Sequence, residues 1–280
     1  MKIVKIARAG QSAEGFLEGE RVHLVGGWHD AAPEDAPFTL TRHAEAAWPA
    51  LRQASTQSVA LDEVSLAVPL DPGARLLCVG MNYRDHLGEI KRDEAENPVI
   101  FTRFAETLSA HGEPIQRPRA SQHFDFEGEI AVVIGKGGRH IPLETALDHV
   151  SGYTCFMDGS LRDYQRHSLT AGKNFHRSGA MGPWIVAASA MGQGDITLRT
   201  RLNDAQVQSS HSGLMIFGIA ESIAYISRWI ALRPGDVIAT GTPGGVGSRR
   251  EPPLWMKPGD RIEVEVGGVG VLANPVVDEA

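Results

Sequence analysis

Two acids one residue apart, Glu127 and Glu129, open the run Asp125-Phe126-Glu127-Gly128-Glu129-Ile130-Ala131-Val132-Val133-Ile134-Gly135. In a strand, residues i and i+2 project from the same face, and the unbroken apolar run that follows marks this strand as buried. Two carboxylates side by side in an interior repel each other, and desolvating each costs on the order of several kcal/mol unless something cationic compensates. A solvated strand end would avoid that cost, and a bound hard cation would offset it. A third acid, Asp158, closes a strand expected over 152–157, and no lysine lies near the three in sequence. Carboxylates without cysteine or paired histidine suit Mg²⁺, Mn²⁺ or Ca²⁺ rather than Zn²⁺, and leave coordination positions open for substrate.

A second group is Gly80-Met81-Asn82-Tyr83-Arg84-Asp85-His86-Leu87-Gly88-Glu89, where a strand end turns into a short helix. His86 and Glu89 stand at i and i+3 on one helical face, so the carboxylate can orient the imidazole as a general base needs, or the two can form a plain surface pair. Residues 159–175 hold few apolar side chains and many donors, which fits a mobile lid over an anionic substrate as well as a solvated loop. Thr240-Gly241-Thr242-Pro243-Gly244-Gly245-Val246-Gly247 follows a strand and lets backbone N–H groups approach a carboxylate closely, though a simple turn cluster would read the same. No G-x-S-x-G, H-E-x-x-H or phosphate-binding G-x-x-x-x-G-K-[ST] occurs, which removes those hydrolase, zinc and nucleotide chemistries. The glycines of 268–273 lie too near the C-terminus for a dinucleotide-binding unit and read as a turn.

These residues need elements to hold them. Short strands with hairpin signals are expected at 2–6, 15–17 and 22–25, then a helical stretch at 41–53 interrupted by Pro49. The connector Val68-Pro69-Leu70-Asp71-Pro72-Gly73 sets a boundary between a small N-terminal α/β domain, 1–68, and a larger domain, 69–280. The larger one is dominated by β-branched runs at 75–79, 127–134, 153–157, 184–187, 237–240 and 261–266, the last alternating strictly as a half-buried strand does. Its clearest helix carries Ile216, Ile219, Ile223, Ile226 and Ile230 and ends before Pro234. The class is α+β, mostly β, with helices packed outside.

Length and composition agree. The chain has 280 residues, 42% of them apolar and 22% charged, with a net charge of −7 that repels phosphate polymers and anionic membranes. Nucleic acid and membrane are therefore not expected partners. The longest uncharged stretch, 178–194, holds four glycines and a proline and is no membrane span. Cys78 and Cys155 are too few for a disulfide framework, which suits a reducing cytoplasm.

Taken in this order, N-Y-x-x-H-x-x-E at 82–89, E-x-E at 127–129, Asp158, R-D-x-Q at 162–165, Lys173 and T-G-T-P-x-G-V-G at 240–247 resemble the fumarylacetoacetate hydrolase family over about residues 69–277. The resemblance implies a mixed β-sandwich roll for 69–280, commonly a homodimer, with Mg²⁺ or Mn²⁺ (Ca²⁺ in some crystals) held by Glu127, Glu129 and Asp158. It implies that His86 with Glu89 activates water, that Lys173 stabilises a developing anion, and that Arg162, Gln165, Gly241 and Thr242 bind a 2-oxo or diketo acid. One departure is Arg103 in Phe101-Thr102-Arg103, where many relatives carry lysine; its expected consequence is for substrate selectivity and not for the metal site. The implied reaction is hydrolysis of a carbon–carbon bond in an acylpyruvate such as fumarylpyruvate from aromatic catabolism. Isomerisation or decarboxylation of 2-oxo or 2-hydroxymuconate-type acids is the alternative at the same site, and a catalytically silent ligand-binding protein is the alternative of another class.

Overall fold

The computed structural model describes residues 1–90 and 93–280. Its main sheet has 12 strands: ten along a path of Ser58–Ala60, Arg21–His29, Gln11–Glu18, Lys2–Arg8, Gly179–Ala187, Val150–Met157, Gly128–Ile134, Val237–Ala239, Leu76–Gly80 and Val99–Arg103, with Ser65–Leu66 paired to Lys2–Arg8 and Leu108–Ser109 to Gly179–Ala187 off that path. A second sheet of five strands runs Ala205–His211, Thr197–Leu202, Arg261–Val266, Gly270–Asp278 and Ile115–Arg117. The mixed, mostly β class with outer helices is as the sequence implies. Most pairings are antiparallel, but Val237–Ala239 lies parallel to Leu76–Gly80.

The strand Gly128–Ile134 is buried along its whole length between Val150–Met157 and Val237–Ala239. Its period of two sorts side chains between two cores. Ile130, Val132 and Ile134 pack with Ile262 and Val264 of the second sheet, whereas Ala131 and Val133 join Leu76, Cys78, Phe101, Phe156 and Met181. Glu127 and Glu129 share the parity of Ala131, and Asp158 that of Phe156, so the three acids stand at the end of one apolar layer. Gly128, on the opposite parity, faces the second sheet at close range. A Cβ there would overlap the Thr200 hydroxyl and lie 3.4 Å from Val264 Cγ1.

The N-terminal strands continue the main sheet, because Lys2 pairs with Val186 and Ile3 with Ile185. Ile3, Phe16, Phe38 and Trp48 accordingly fall in the same core as Phe156. The helical stretch expected at 41–53 is two 3-10 turns, Thr39–Arg42 and Glu45–Ala47, followed by an α-helix, Trp48–Gln53. Pro49 sits in the first turn of that helix, where its missing N–H has no partner to lose, so it starts the helix instead of interrupting it.

The isoleucine-rich helix spans Ile219–Trp229, with Ile223 and Ile226 buried. Its start is set by Glu221, whose carboxylate accepts the Gly218 N–H at 2.7 Å. Ile216 and Ile230 lie outside it, Ile230 already in an extended conformation. The glycine turn expected over 268–273 is shorter, since Gly270 begins the last strand. No helix among the described residues is long and apolar enough to cross a membrane. Both cysteines are buried and unpaired.

Gly128→Ala should cost about 1–3 kcal/mol of stability by overpacking the contact between the sheets. Urea titration checks this, and an unchanged midpoint would show that the sheets yield at this point.

Candidate active site

Glu127, Glu129 and Asp158 are all buried and offer carboxylate oxygens within 4.8 Å of one another. Their backbones are registered by the Asp158 N–H, which donates to Glu127 O at 2.8 Å. No lysine is near these acids in sequence, but the fold brings one to them. Lys173, at the end of the short helix Leu169–Lys173, donates from Nζ to Glu127 Oε2 at 2.6 Å and Asp158 Oδ2 at 2.5 Å. Arg162 Nη1 pairs with Glu127 Oε1 at 2.7 Å, and Arg103 Nη1 donates to Asp158 Oδ1 at 2.6 Å. Arg103 therefore bears directly on the acid cluster, contrary to the expectation that its consequence lies elsewhere.

These partners divide the acids electrostatically. Burial opposes the charge on Glu127, but Lys173 and Arg162 outweigh it and bring its pKa down to about 2. Lys173 is likewise desolvated, yet Asp158 and Glu127 hold its pKa above the ordinary lysine value, so it stays an ammonium. Glu129 has no cationic partner within salt-bridge distance among the described residues; its Oε2 accepts the Gly241 N–H at 2.9 Å. Burial, then Asp158 and Glu127, push its pKa well above the usual carboxylate range. A buried carboxylate short of positive charge, grouped with two others and with no sulfur or imidazole in the set, fits a hard divalent cation.

The loop after Val237–Ala239 is built around these acids. Gly241 has φ +96°, and a Cβ there would meet Val79 O at 2.7 Å and Asn82 Cβ at 2.8 Å. Its N–H faces Glu129, so the structure places Gly241 on a cluster acid. The Thr242 hydroxyl donates to Gly128 O at 3.0 Å and accepts from Gln208 Nε2 at 2.8 Å. Gln208 Oε1 in turn accepts the Gly128 N–H at 2.9 Å, between the two glutamates. Sequence reading missed Gln208, because a lone glutamine in an alternating strand carries no motif and its role comes from a sheet far away in sequence.

His86 and Glu89 share a face of the helix Arg84–Ile90, as their spacing implies, but Nδ1 and Oε2 are 3.6 Å apart and neither makes a hydrogen bond in this conformation. Glu89 Oε1 instead accepts the Gly245 N–H at 2.6 Å. Burial raises the Glu89 pKa, and the nearby imidazole and the Gly245 amide more than offset that, leaving it lowered. The helix is aimed by Asn82, whose amide donates to Phe217 O at 2.9 Å and Thr240 O at 2.8 Å and whose Oδ1 accepts the Phe217 N–H at 2.8 Å.

The segment expected as a lid folds into Ser160–Leu161, which pairs with Phe124–Asp125, and the helices Arg162–Gln165 and Leu169–Lys173. Its ends are tied down. Leu161 and Gly172 are buried, while 166–170 face solvent. Asp125 anchors Arg162 Nε at 2.7 Å and also accepts the Gly247 N–H at 2.7 Å and the Ser248 N–H at 3.0 Å. Arg162 Nη1 donates to Gln165 Oε1 at 2.9 Å, and Nη2 is buried without a partner among the described residues.

Residues 75–277 match the family model described as fumarylacetoacetate (FAA) hydrolase C-terminal. The chain is 39% identical over 219 residues to a mitochondrial oxaloacetate tautomerase of Xenopus laevis, covering 76% of this chain and 69% of that protein. It is 39% identical over 223 residues to the oxaloacetate tautomerase YisK of Bacillus subtilis (strain 168), covering 77% and 74%. A solved structure of a fumarylacetoacetate hydrolase from Exiguobacterium antarcticum superposes with a TM-score of 0.83 at 31% identity, with 100% of both chains covered.

The charge arrangement yields a pH prediction. Because its folded pKa is raised, Glu129 stays protonated in the metal-free protein at pH values above 4.5, where an ordinary glutamate has ionised. That contribution to stability is lost as pH rises through the folded pKa, and a divalent cation must displace the proton. Affinity for Mg²⁺ should therefore climb with pH above 4.5, with proton release visible in calorimetry across buffers of different ionisation enthalpy. Binding without proton release would show that Glu129 is already ionised.

Proposed function

This chain belongs to the fumarylacetoacetate hydrolase family, and from that premise we propose that it is a divalent-metal-dependent enzyme interconverting the keto and enol forms of a 2-oxo dicarboxylic acid of the oxaloacetate class. The observation that carries this reading is the 39% identity, over more than three quarters of the chain, to two proteins named as oxaloacetate tautomerases. In this reading Glu127, Glu129 and Asp158 hold Mg²⁺ or Mn²⁺. The cation, when bound, supplies polarisation of the substrate carbonyl and so acidifies the neighbouring C–H.

The chain's own groups sort by protonation. Tautomerisation moves one proton from the carbon beside the carbonyl to its oxygen, or back, and consumes no water. A group doing this must both take and release a proton. Lys173 is held as an ammonium by Asp158 and Glu127, and Glu127 is a weak base with a pKa near 2. The Arg103 and Arg162 guanidiniums stay protonated. His86, whose Nδ1 is unpartnered among the described residues, is left as the proton carrier, with Glu89 beside it to support the imidazolium. Substrate carboxylates would meet the unpaired Nη2 of Arg162 and the backbone N–H groups of Thr242, Gly244 and Val246, the other amides of 240–247 being committed to Ile130, Glu129, Glu89 and Asp125. The Thr242 proton is already committed to Gly128 O, so in this reading that residue contributes its main chain. Gln165, its carbonyl turned to Arg162, is left with its amide N–H groups to offer.

The acylpyruvate hydrolase reading stays second, supported by the Exiguobacterium antarcticum hydrolase. It needs the same His86 to deprotonate water, with Glu89 orienting the ring. The 3.6 Å separation of His86 and Glu89 bears equally on both readings.

His86→Ala should lower the tautomerase rate by about 10²–10⁴-fold, the worth of a positioned general base. The assay follows loss of enol absorbance of oxaloacetate, with an acylpyruvate panel run on the same preparation. A near wild-type rate in the variant would remove His86 from the mechanism. Faster turnover of an acylpyruvate than of oxaloacetate would replace the tautomerase reading by the hydrolase one.

A further inference from the structure

Arg103 is walled in completely: its side chain and that of Asp158 are 0% exposed. Every N–H has an acceptor. Nε donates to Thr107 Oγ1 at 3.2 Å, Nη1 to Asp158 Oδ1 at 2.6 Å and Gly159 O at 3.0 Å, and Nη2 to Ser178 Oγ at 2.9 Å and Thr107 O at 3.4 Å. The slot exists because residue 179 is glycine, since a Cβ there would stand 2.6 Å from Nη2. A guanidinium fixed at this many points cannot swing away from Oδ1.

The same pattern recurs at the other two acids. Glu127 Oε1 is held by Arg162 Nη1 at 2.7 Å, and Glu129 Oε2 by the Gly241 N–H at 2.9 Å. Each carboxylate thus has one oxygen engaged by a fixed donor, while the second oxygens of Glu127 and Asp158 are held by the flexible-stemmed Lys173 Nζ, which a bound cation would have to displace. Ligands presenting one oxygen each suit a small cation that demands near-octahedral geometry and retains waters. Ca²⁺ takes 6–8 oxygens and commonly a bidentate carboxylate.

We propose that Arg103 is a positioning residue for metal selectivity: by reserving Asp158 Oδ1 it keeps Asp158 monodentate and biases the site toward Mg²⁺ or Mn²⁺ over Ca²⁺. The inference rests on the reading of Glu127, Glu129 and Asp158 as the ligand set. Arg103 is the donor through which it can be tested cleanly, because Arg162 also faces substrate in that reading and the Gly241 donor is main chain.

The test is calorimetric titration of chelator-stripped protein with Mg²⁺ and Ca²⁺ separately, compared as a ratio of affinities. Both ions carry the same charge, so a change in local field cancels in the ratio and a change in ligand geometry does not. Arg103→Lys keeps the charge and gives up the planar fork, freeing Asp158 to turn. The ratio should move toward Ca²⁺ by about tenfold, the low end of what loss of an outer partner does to a metal site. Ser178→Ala keeps Arg103 and removes one anchor, and should move the ratio the same way by about threefold. If Arg103→Lys melts before it can be titrated, Ser178→Ala decides the matter. A ratio unchanged within about twofold in a folded variant overturns the inference while leaving the ligand set intact. Wild-type protein that binds neither ion overturns the ligand set, and the inference with it.

Discussion

Everything near the site depends on keeping Glu127, Glu129 and Asp158 ionisable inside an apolar layer. Burying carboxylates costs several kcal/mol each in effective terms, roughly, and close packing of like charges adds to it. The structure answers with Lys173 and Arg162 on Glu127, Lys173 and Arg103 on Asp158, and Asp125 in turn fixing Arg162. Glu129 is left with a backbone amide. The neutralisation stops one charge short, and that shortfall lies where a divalent cation would be drawn. A site fully balanced by its own side chains would have little affinity for one.

How much of this was legible follows from what each signal reports. The run 128–134 announced its strand, its burial and the shared face of the two glutamates, because periodicity is a property of the element itself. The i, i+3 pairing of His86 and Glu89 is legible for the same reason, whereas Lys173 entered only through the resemblance to the fumarylacetoacetate hydrolase family. What faces an element is set by topology. Arg103 reaches Asp158 across 55 residues, and Gln208 reaches Gly128 across 80. No window of sequence contains either pair. The same limit applies to Lys173, which is distant from the acids in sequence and adjacent to them only after a helical turn folds the chain back.

The segment expected as a mobile lid or solvated loop adds a further limit. Residues 159–175 hold few apolar side chains, yet parts of the segment are structured by polar contacts, Ser168 capping the second helix through the Ala171 N–H and Arg162 held on Asp125. Polarity in a segment signals an absence of apolar burial, which is not an absence of structure when charged groups find fixed partners. Pro49 is similar. Read as a break it divides a helix, whereas its position in the first turn begins one.

Gln208 joins the two halves of the argument. Its carboxamide fills the gap between the sheets with both of its functions used, the carbonyl on the Gly128 N–H and the amide on Thr242 Oγ1 and Pro243 O. An apolar residue there would leave the Gly128 amide buried without a partner, at a cost of about 1–3 kcal/mol, and would free the Thr242 hydroxyl to rotate. The second sheet carries none of the acids, yet through this side chain it sets both the spacing of the glutamates and the approach of the 240–247 loop. The acid cluster and the 240–247 loop are thereby held in one frame, which is the geometry that the proposed reaction, at the carbon beside a metal-polarised carbonyl, would require.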